Sequence, residues 1–234
     1  MSSFIVETAG LTKIYHEGGA PLPVLTGVDV QISFGEIVAL RGPSGSGKST
    51  LLNILGCLDR PTRGHYWLGG RDVSALDRTA QAWVRLHYIG FVFQTFHLIA
   101  HSTALENVAL PMHYAGIAKD EAVETARGLL GRVGLEHRLD HRPNQLSGGQ
   151  RQRVAVARAL ACKPRLILAD EPTGALDTRT GQEILALLLE LHAEQNLTLV
   201  LVTHDSAVAK VAHRQIEIRD GRVVGERTSV VPSA

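Results

Sequence analysis

Four short apolar runs punctuate the chain: Ile37-Val38-Ala39-Leu40, Ile89-Gly90-Phe91-Val92-Phe93, Leu166-Ile167-Leu168-Ala169 and Thr198-Leu199-Val200-Leu201-Val202. Runs this short and unbroken predict strands buried on both faces, as in a parallel sheet. Helical spacing appears between some of them. Lys48 to Leu55 and Arg179 to Ala193 read as helices, the second with an apolar stripe of Ile184, Leu187, Leu188 and Leu191. Alternation of strand and helix predicts an α/β layered fold. Elsewhere the period changes to two. Val24 to Phe34 and Gly64 to Val73 alternate polar and apolar residues, and Ile216 to Val224 reads as a hairpin about Asp220-Gly221. These predict antiparallel strands beside the parallel core.

The stretch from about Ser102 to Leu160 predicts helices instead. Thr103 and Glu106 fit a capping box. Ala122, Val123, Ala126, Leu129, Leu130 and Val133 make an apolar face, and Gly134 is a stop signal. The expected organisation is one domain over residues 1–234. Its core covers 1–94 and 161–234, and a helical subdomain covers about 95–160.

Composition narrows the class without naming a function. Of 234 residues, 44% are hydrophobic and 20% charged, as in an ordinary globular protein. Lys and Arg total 24 against 23 for Asp and Glu, so no nucleic-acid partner is expected. Cys57 and Cys162 lack metal-ligand spacing and read as buried thiols in a reducing compartment. The start of the chain lacks a basic segment and a long apolar core, so no secretory leader is expected. No apolar run reaches the roughly 20 residues that span a bilayer. Work at a membrane would therefore need a separate spanning partner.

Candidate chemistry begins at Gly42-Pro43-Ser44-Gly45-Ser46-Gly47-Lys48-Ser49-Thr50, which fits the phosphate-loop pattern G-x-x-x-x-G-K-[ST]. It follows a predicted strand and opens a predicted helix, as that motif requires. Glycines let backbone amides converge on phosphate oxygens, and the helix start adds positive partial charge. Lys48 is expected to reach the β- and γ-phosphates, and the Ser49 hydroxyl to ligate Mg²⁺. The run Leu166 to Ala169 ends in Asp170-Glu171, which places two carboxylates at the C-terminal edge of a sheet. A third segment, Leu146-Ser147-Gly148-Gly149-Gln150, pairs a good helix N-cap with two glycines that leave the first amides uncovered. A second phosphate grip within one chain is redundant unless it serves a second molecule.

With that pentapeptide the chain resembles the ATP-binding cassette (ABC) ATPases, over essentially its whole length from Tyr15 to the Asp220-Gly221 turn. The resemblance implies a phosphate-loop NTPase fold: a RecA-like parallel sheet core, an antiparallel β subdomain and a helical insert carrying Leu-Ser-Gly-Gly-Gln. It implies that Asp170 holds Mg²⁺, that Glu171 polarises the attacking water, and that His204 contacts the γ-phosphate. Gln94 matches a glutamine that senses Mg²⁺ and water. Tyr15 matches an aromatic that stacks on adenine, although a surface tyrosine fits the same position. Two chains would pack head-to-tail around two ATP, each nucleotide lying between one chain's phosphate loop and the other's residues 147–150, with Asp177 on a loop that crosses the interface.

Four segments are most similar to the branch serving macrolide export and lipoprotein release (MacB- and LolD-type). They are Leu51 to Thr62, Phe93 to Leu98, Thr103 to Val108 and Asp170 to Asp177. That branch implies a subunit on the cytoplasmic side of the inner membrane, bound through a separate permease. Thr95 to His101 is either the groove for a partner helix or ordinary packing of the helical insert. Two other readings stay in view: a regulatory ATPase that signals across the membrane to cell-wall enzymes, and a soluble ABC ATPase. A single short cassette without a coiled-coil insert argues against the last.

Overall fold

The described residues of the computed structural model are 3–228. In chain order, the paired strands β1 (Phe4–Glu17) and β2 (Ala20–Ser33) precede β3 (Ile37–Arg41), helix α1 (Lys48–Leu55), β4 (Arg63–Leu68), β5 (Arg71–Asp72) and α2 (Arg78–Tyr88). Then come β6 (Ile89–Phe93), α3 (Ala104–Tyr114), α4 (Lys119–Arg132) and α5 (Gly148–Leu160). The remainder is β7 (Leu166–Asp170), α6 (Thr178–Gln195), β8 (Thr198–Val202), α7 (Ser206–Lys210), β9 (Arg214–Arg219) and β10 (Arg222–Thr228). Contacts divide these into two units. One runs to Val84 and resumes at Thr198; the other is Arg85–Leu197.

The first unit holds two sheets. One is antiparallel, in the order β2-β1-β4-β5; in the other, β10, β9, β3 and β8 are neighbours in that order. β3 runs parallel to β8, from Ile37 beside Leu199 to Leu40 beside Val202, and parallel to β9 on its other side. Ile37 to Leu40 and all of β8 are buried, which is why both read as unbroken apolar runs. In β2 the buried positions Val28, Val30 and Ile32 alternate with exposed Asp29 and Gln31, the signature of a strand wet on one face. Asp220 and Gly221 form the two-residue turn between β9 and β10, with φ of 46° and 73°. Positive φ at both positions matches the twist that joins antiparallel strands.

In the second unit, β6 and β7 pair in parallel, from Ile89 beside Leu166 to Phe93 beside Asp170. The capping box at α3 is present: Glu106 N donates to Thr103 Oγ1 at 3.1 Å, and Thr103 N donates to Glu106 Oε2 at 2.8 Å. α4 buries Ala122, Ala126 and Leu130, one turn apart, and the chain leaves it through Gly134 at φ 73°. α5 presses directly on β6. A Cβ on Gly90 would lie 2.4 Å from the Ala159 carbonyl oxygen. Cys57 is buried and Cys162 only half-buried, and neither is in a disulfide.

The close approach at Gly90 has a measurable cost. Gly90→Ala should destabilise the protein by about 1–3 kcal/mol, because backbone has to move to admit one methyl group. Urea unfolding of both proteins checks this, and an unchanged midpoint would contradict it.

Candidate nucleotide site

β3 ends at Arg41, and the chain turns through residues 42–47 before α1 begins. Gly42, Gly45 and Gly47 sit at φ 148°, 78° and 101°, a region that side chains disfavour. Space excludes side chains at two of the three. A Cβ on Gly42 would stand 2.0 Å from the Ile218 carbonyl oxygen, and one on Gly47 would stand 2.8 Å from Leu25 Cδ2 and 2.9 Å from Val24 O. The loop is also tied from behind, since Gly221 N donates to Ser46 O at 3.0 Å. Gly47 supplies no side-chain cap to α1, so the first amides of that helix remain available to an anion.

Two polar groups of the loop point to a ligand. Ser46 Oγ is buried with no hydrogen-bond partner among the described residues. Lys48 Nζ donates to the loop's own carbonyls, Gly42 O at 2.9 Å and Pro43 O at 2.7 Å. A cavity of about 560 Å³ adjoins the loop, with Gly42, Pro43, Thr203 and His204 in its walls and Arg41 at its side. His204 follows β8 at a turn fixed by two bonds: Thr203 N donates to Leu40 O at 3.2 Å, and Asp205 N to Thr203 Oγ1 at 3.0 Å. Ser49 and Thr50 open α1. Tyr15 lies on β1 with its phenol 2.6 Å from Asp59 Oδ2.

The remaining candidates fall in the second unit. Asp170 ends β7, and Glu171 follows at φ 46°. That conformation costs a non-glycine residue about 1–2 kcal/mol. Glu171 O accepts from Gly174 N at 3.0 Å. A Cβ on Gly174 would meet Gln94 Nε2 at 2.8 Å and Glu171 Cβ at 3.4 Å, so Gln94 and Glu171 converge on one bare glycine.

α5 starts at Gly148, with Ser147 as its N-cap. Gln150 N donates to Ser147 Oγ at 3.3 Å, and Ser147 N donates to Gln150 Oε1 at 2.9 Å. Absence of side chains at residues 148 and 149 also admits a neighbour: a Cβ on Gly149 would lie 2.4 Å from Thr180 Cγ2. Asp177 caps α6, accepting from Thr180 N at 3.0 Å. Hydrogen bonds from the Thr180 side chain and backbone hold its carboxyl below the usual carboxylate range.

Sequence reasoning missed Gln152. It is fully buried on α5, and its Nε2 donates to Pro172 O at 2.6 Å, fastening that helix to the loop after Glu171. The available signal was a glutamine among the apolar positions of the helix.

The sequence profile of the ABC transporter family matches residues 25–174. The macrolide export ATP-binding/permease protein MacB of Marinobacter nauticus is 53% identical over 230 residues, which cover 98% of this chain and 36% of that protein. The protein of the same name from Rhodopirellula baltica is 54% identical, with coverage of 97% and 34%. The chain thus spans about a third of the length of the curated relatives it matches. A solved dimeric ATP-binding cassette, in a post-hydrolysis state bound to ADP and Pi, has a TM-score of 0.89 at 46% identity and covers 95% of this chain and 98% of its own. Its likeness extends the α/β cassette fold over both units, and with the profile match it shows that this chain belongs to the ABC transporter family.

Proposed function

We propose that this chain is the ATP-binding and ATP-hydrolysing subunit of an ABC transporter complex, closing head-to-tail on a second copy around two ATP and driving membrane permease subunits. One observation carries the reading: a single chain holds two glycine-lined helix starts suited to anions, at residues 42–50 and 147–150. One triphosphate needs one such cradle. The second serves a nucleotide held by another copy.

The roles follow from chemistry. Gly42 to Thr50 hold the phosphates through amides, hydroxyls and the Lys48 ammonium. Lys48 exchanges its two carbonyl partners for phosphate oxygens, and its ammonium already lies over the loop it serves. Ser49, Gln94 and Asp170 are hard oxygen donors that fit Mg²⁺, whose charge offsets the crowding of phosphate oxygens. Glu171 accepts the proton of the attacking water as a new P–O bond forms. The bond from the γ-phosphorus to its bridging oxygen breaks, leaving ADP and inorganic phosphate. His204 and Gln94 position the water and the γ-phosphate, and Tyr15 offers its ring to adenine. Ser147, Gly148, Gly149, Gln150 and Asp177 of one copy close over the nucleotide of the other.

No helix among the described residues is long and apolar enough to cross a membrane. By likeness to the MacB relatives, the subunit is assigned to the cytoplasmic face of the inner membrane through its permease, with residues 95–101 as the docking segment. MacB-like export or mechanical transmission across the membrane is the work it drives.

Three variants test separate parts of this reading. Lys48→Ala should weaken ATP binding about 10- to 100-fold, since a charge pair at ~4 Å is worth about 4 kcal/mol before desolvation; equal affinity by calorimetry would refute its role. Glu171→Gln should lower turnover at least about 100-fold while ATP binding persists, because an amide cannot take the proton. It should also elute as a dimer with saturating ATP, and a monomeric profile counts against the shared site. Ser147→Arg, placed in the Glu171→Gln background, should spare ATP binding by the single chain and abolish that dimer. Persistence of the dimer would contradict the assignment of residues 147–150.

A further inference from the structure

Lys13 and Tyr15 are two residues apart on β1, and both side chains reach one carboxylate, that of Asp59. Asp59 comes from elsewhere in the chain, in the turn beyond α1. Its Oδ1 accepts from Lys13 Nζ at 2.6 Å and from Arg60 N at 2.7 Å, and its Oδ2 accepts from the Tyr15 hydroxyl at 2.6 Å. Lys13 Nζ also donates to Arg60 O at 2.8 Å and stands 4.7 Å from the centroid of the Tyr15 ring. The ion pair is sheltered, with side-chain exposures of 11% for Lys13 and 29% for Asp59.

These contacts do two things to one aromatic ring. The carboxylate holds its hydroxyl end, which restrains the swing of the ring about the Cα–Cβ bond. The ammonium covers one face, where a cation is attracted to the π-system. Tyr15 nevertheless remains 37% exposed. Burial, with the Asp59 hydrogen bond and charge added, pushes the phenol above its ordinary range, and the Thr50 side chain acts in the opposite sense. Burial alone would raise the Asp59 carboxyl, but the hydrogen bonds from Lys13 and Tyr15 bring it below the usual carboxylate range. α1 thus joins two features: its start follows the phosphate loop, and the turn beyond its end secures the Tyr15 ring.

We propose that Asp59 is a positioning residue for nucleobase binding, holding Tyr15 by its hydroxyl while Lys13 covers one face, so that a purine stacks on the other. This rests on the reading that Tyr15 receives adenine. Asp59 itself touches no nucleotide. It acts by removing ring freedom that a stacked base would otherwise have to freeze out.

The test compares Mg-ATP with inorganic tripolyphosphate, which has no base, by calorimetry on the full chain. Tyr15→Ala should weaken ATP about tenfold, in the range measured for base–aromatic stacking, and leave tripolyphosphate unchanged. Asp59→Ala should weaken ATP about three- to tenfold with tripolyphosphate again unchanged, and should add nothing in the Tyr15→Ala background. If the alanine variant fails to fold, the near-isosteric Asp59→Asn carries the same comparison. Unchanged ATP affinity for Tyr15→Ala removes the stacking reading, and the proposal with it. If Tyr15→Ala weakens ATP but the Asp59 variant does not, the stacking reading stands and positioning by Asp59 is wrong. Equal losses for ATP and tripolyphosphate would place Asp59 in support of the phosphate loop and overturn the proposal.

Discussion

A phosphate can be met by backbone amides only where no side chain stands between, and a loop stripped of side chains needs support from outside itself. Residues 42–47 satisfy both demands at once. Gly42 is packed against the Ile218 carbonyl of β9, and Gly47 against Val24 and Leu25 of β2. The Asp220-Gly221 turn closes the remaining side. Gly221 N bonds Ser46 O at 3.0 Å, while Gly221 O accepts from Thr26 N at 2.8 Å. Gly221 is itself confined, since a Cβ there would lie 2.3 Å from Val24 O. Two separate chain segments, β2 and the β9–β10 hairpin, therefore converge behind one loop. The hairpin that looks like an appendage in the sequence is a buttress of the phosphate cradle.

What the sequence made legible was periodicity and local chemistry. The buried parallel strands, the α1 helix at Lys48 to Leu55, the Thr103 cap and the Asp-Gly turn all depend on residues a few positions apart, and each is present. Two elements escaped for identifiable reasons. β1 is long but irregular: register shifts near Gly10 and Lys13 break its alternation, so no clean period of two survives. α2 is polar on average and buries only Gln81 and Val84, so few apolar residues carry its helical spacing.

The same limit applied to the candidate sites. Contiguous motifs announced themselves, whereas pairings over distance did not. Asp59 lies more than forty positions from both Lys13 and Tyr15, and nothing local marks it as their partner. Gln152 and Arg158 read as polar interruptions of an apolar helix until their acceptors are known.

Arg158 shows what those acceptors achieve. Phe96 and His97 follow Gln94 at φ 62° and 48°, left-handed backbone in two consecutive residues with side chains. Such strain persists only where the surroundings over-determine it. Arg158 donates Nη1 to His97 O at 2.6 Å and Nη2 to Phe96 O at 2.8 Å, using one rigid fork for both carbonyls. Seven residues earlier on the same helix, the Arg151 guanidinium lies 5.0 Å from the Phe96 ring centroid. Downstream, the buried Asn107 amide accepts from Ile99 N and donates to the carbonyls of Ile99, Ser102 and Thr103. The segment after Gln94 is thus held through its main chain, and Ile99 stays 36% exposed. α5 begins at the Ser147 cap and carries the Phe96–His97 clamp near its far end. Moving one end relative to the other means bending a helix or breaking two bonds to a charged group, each worth about 1.5–3 kcal/mol.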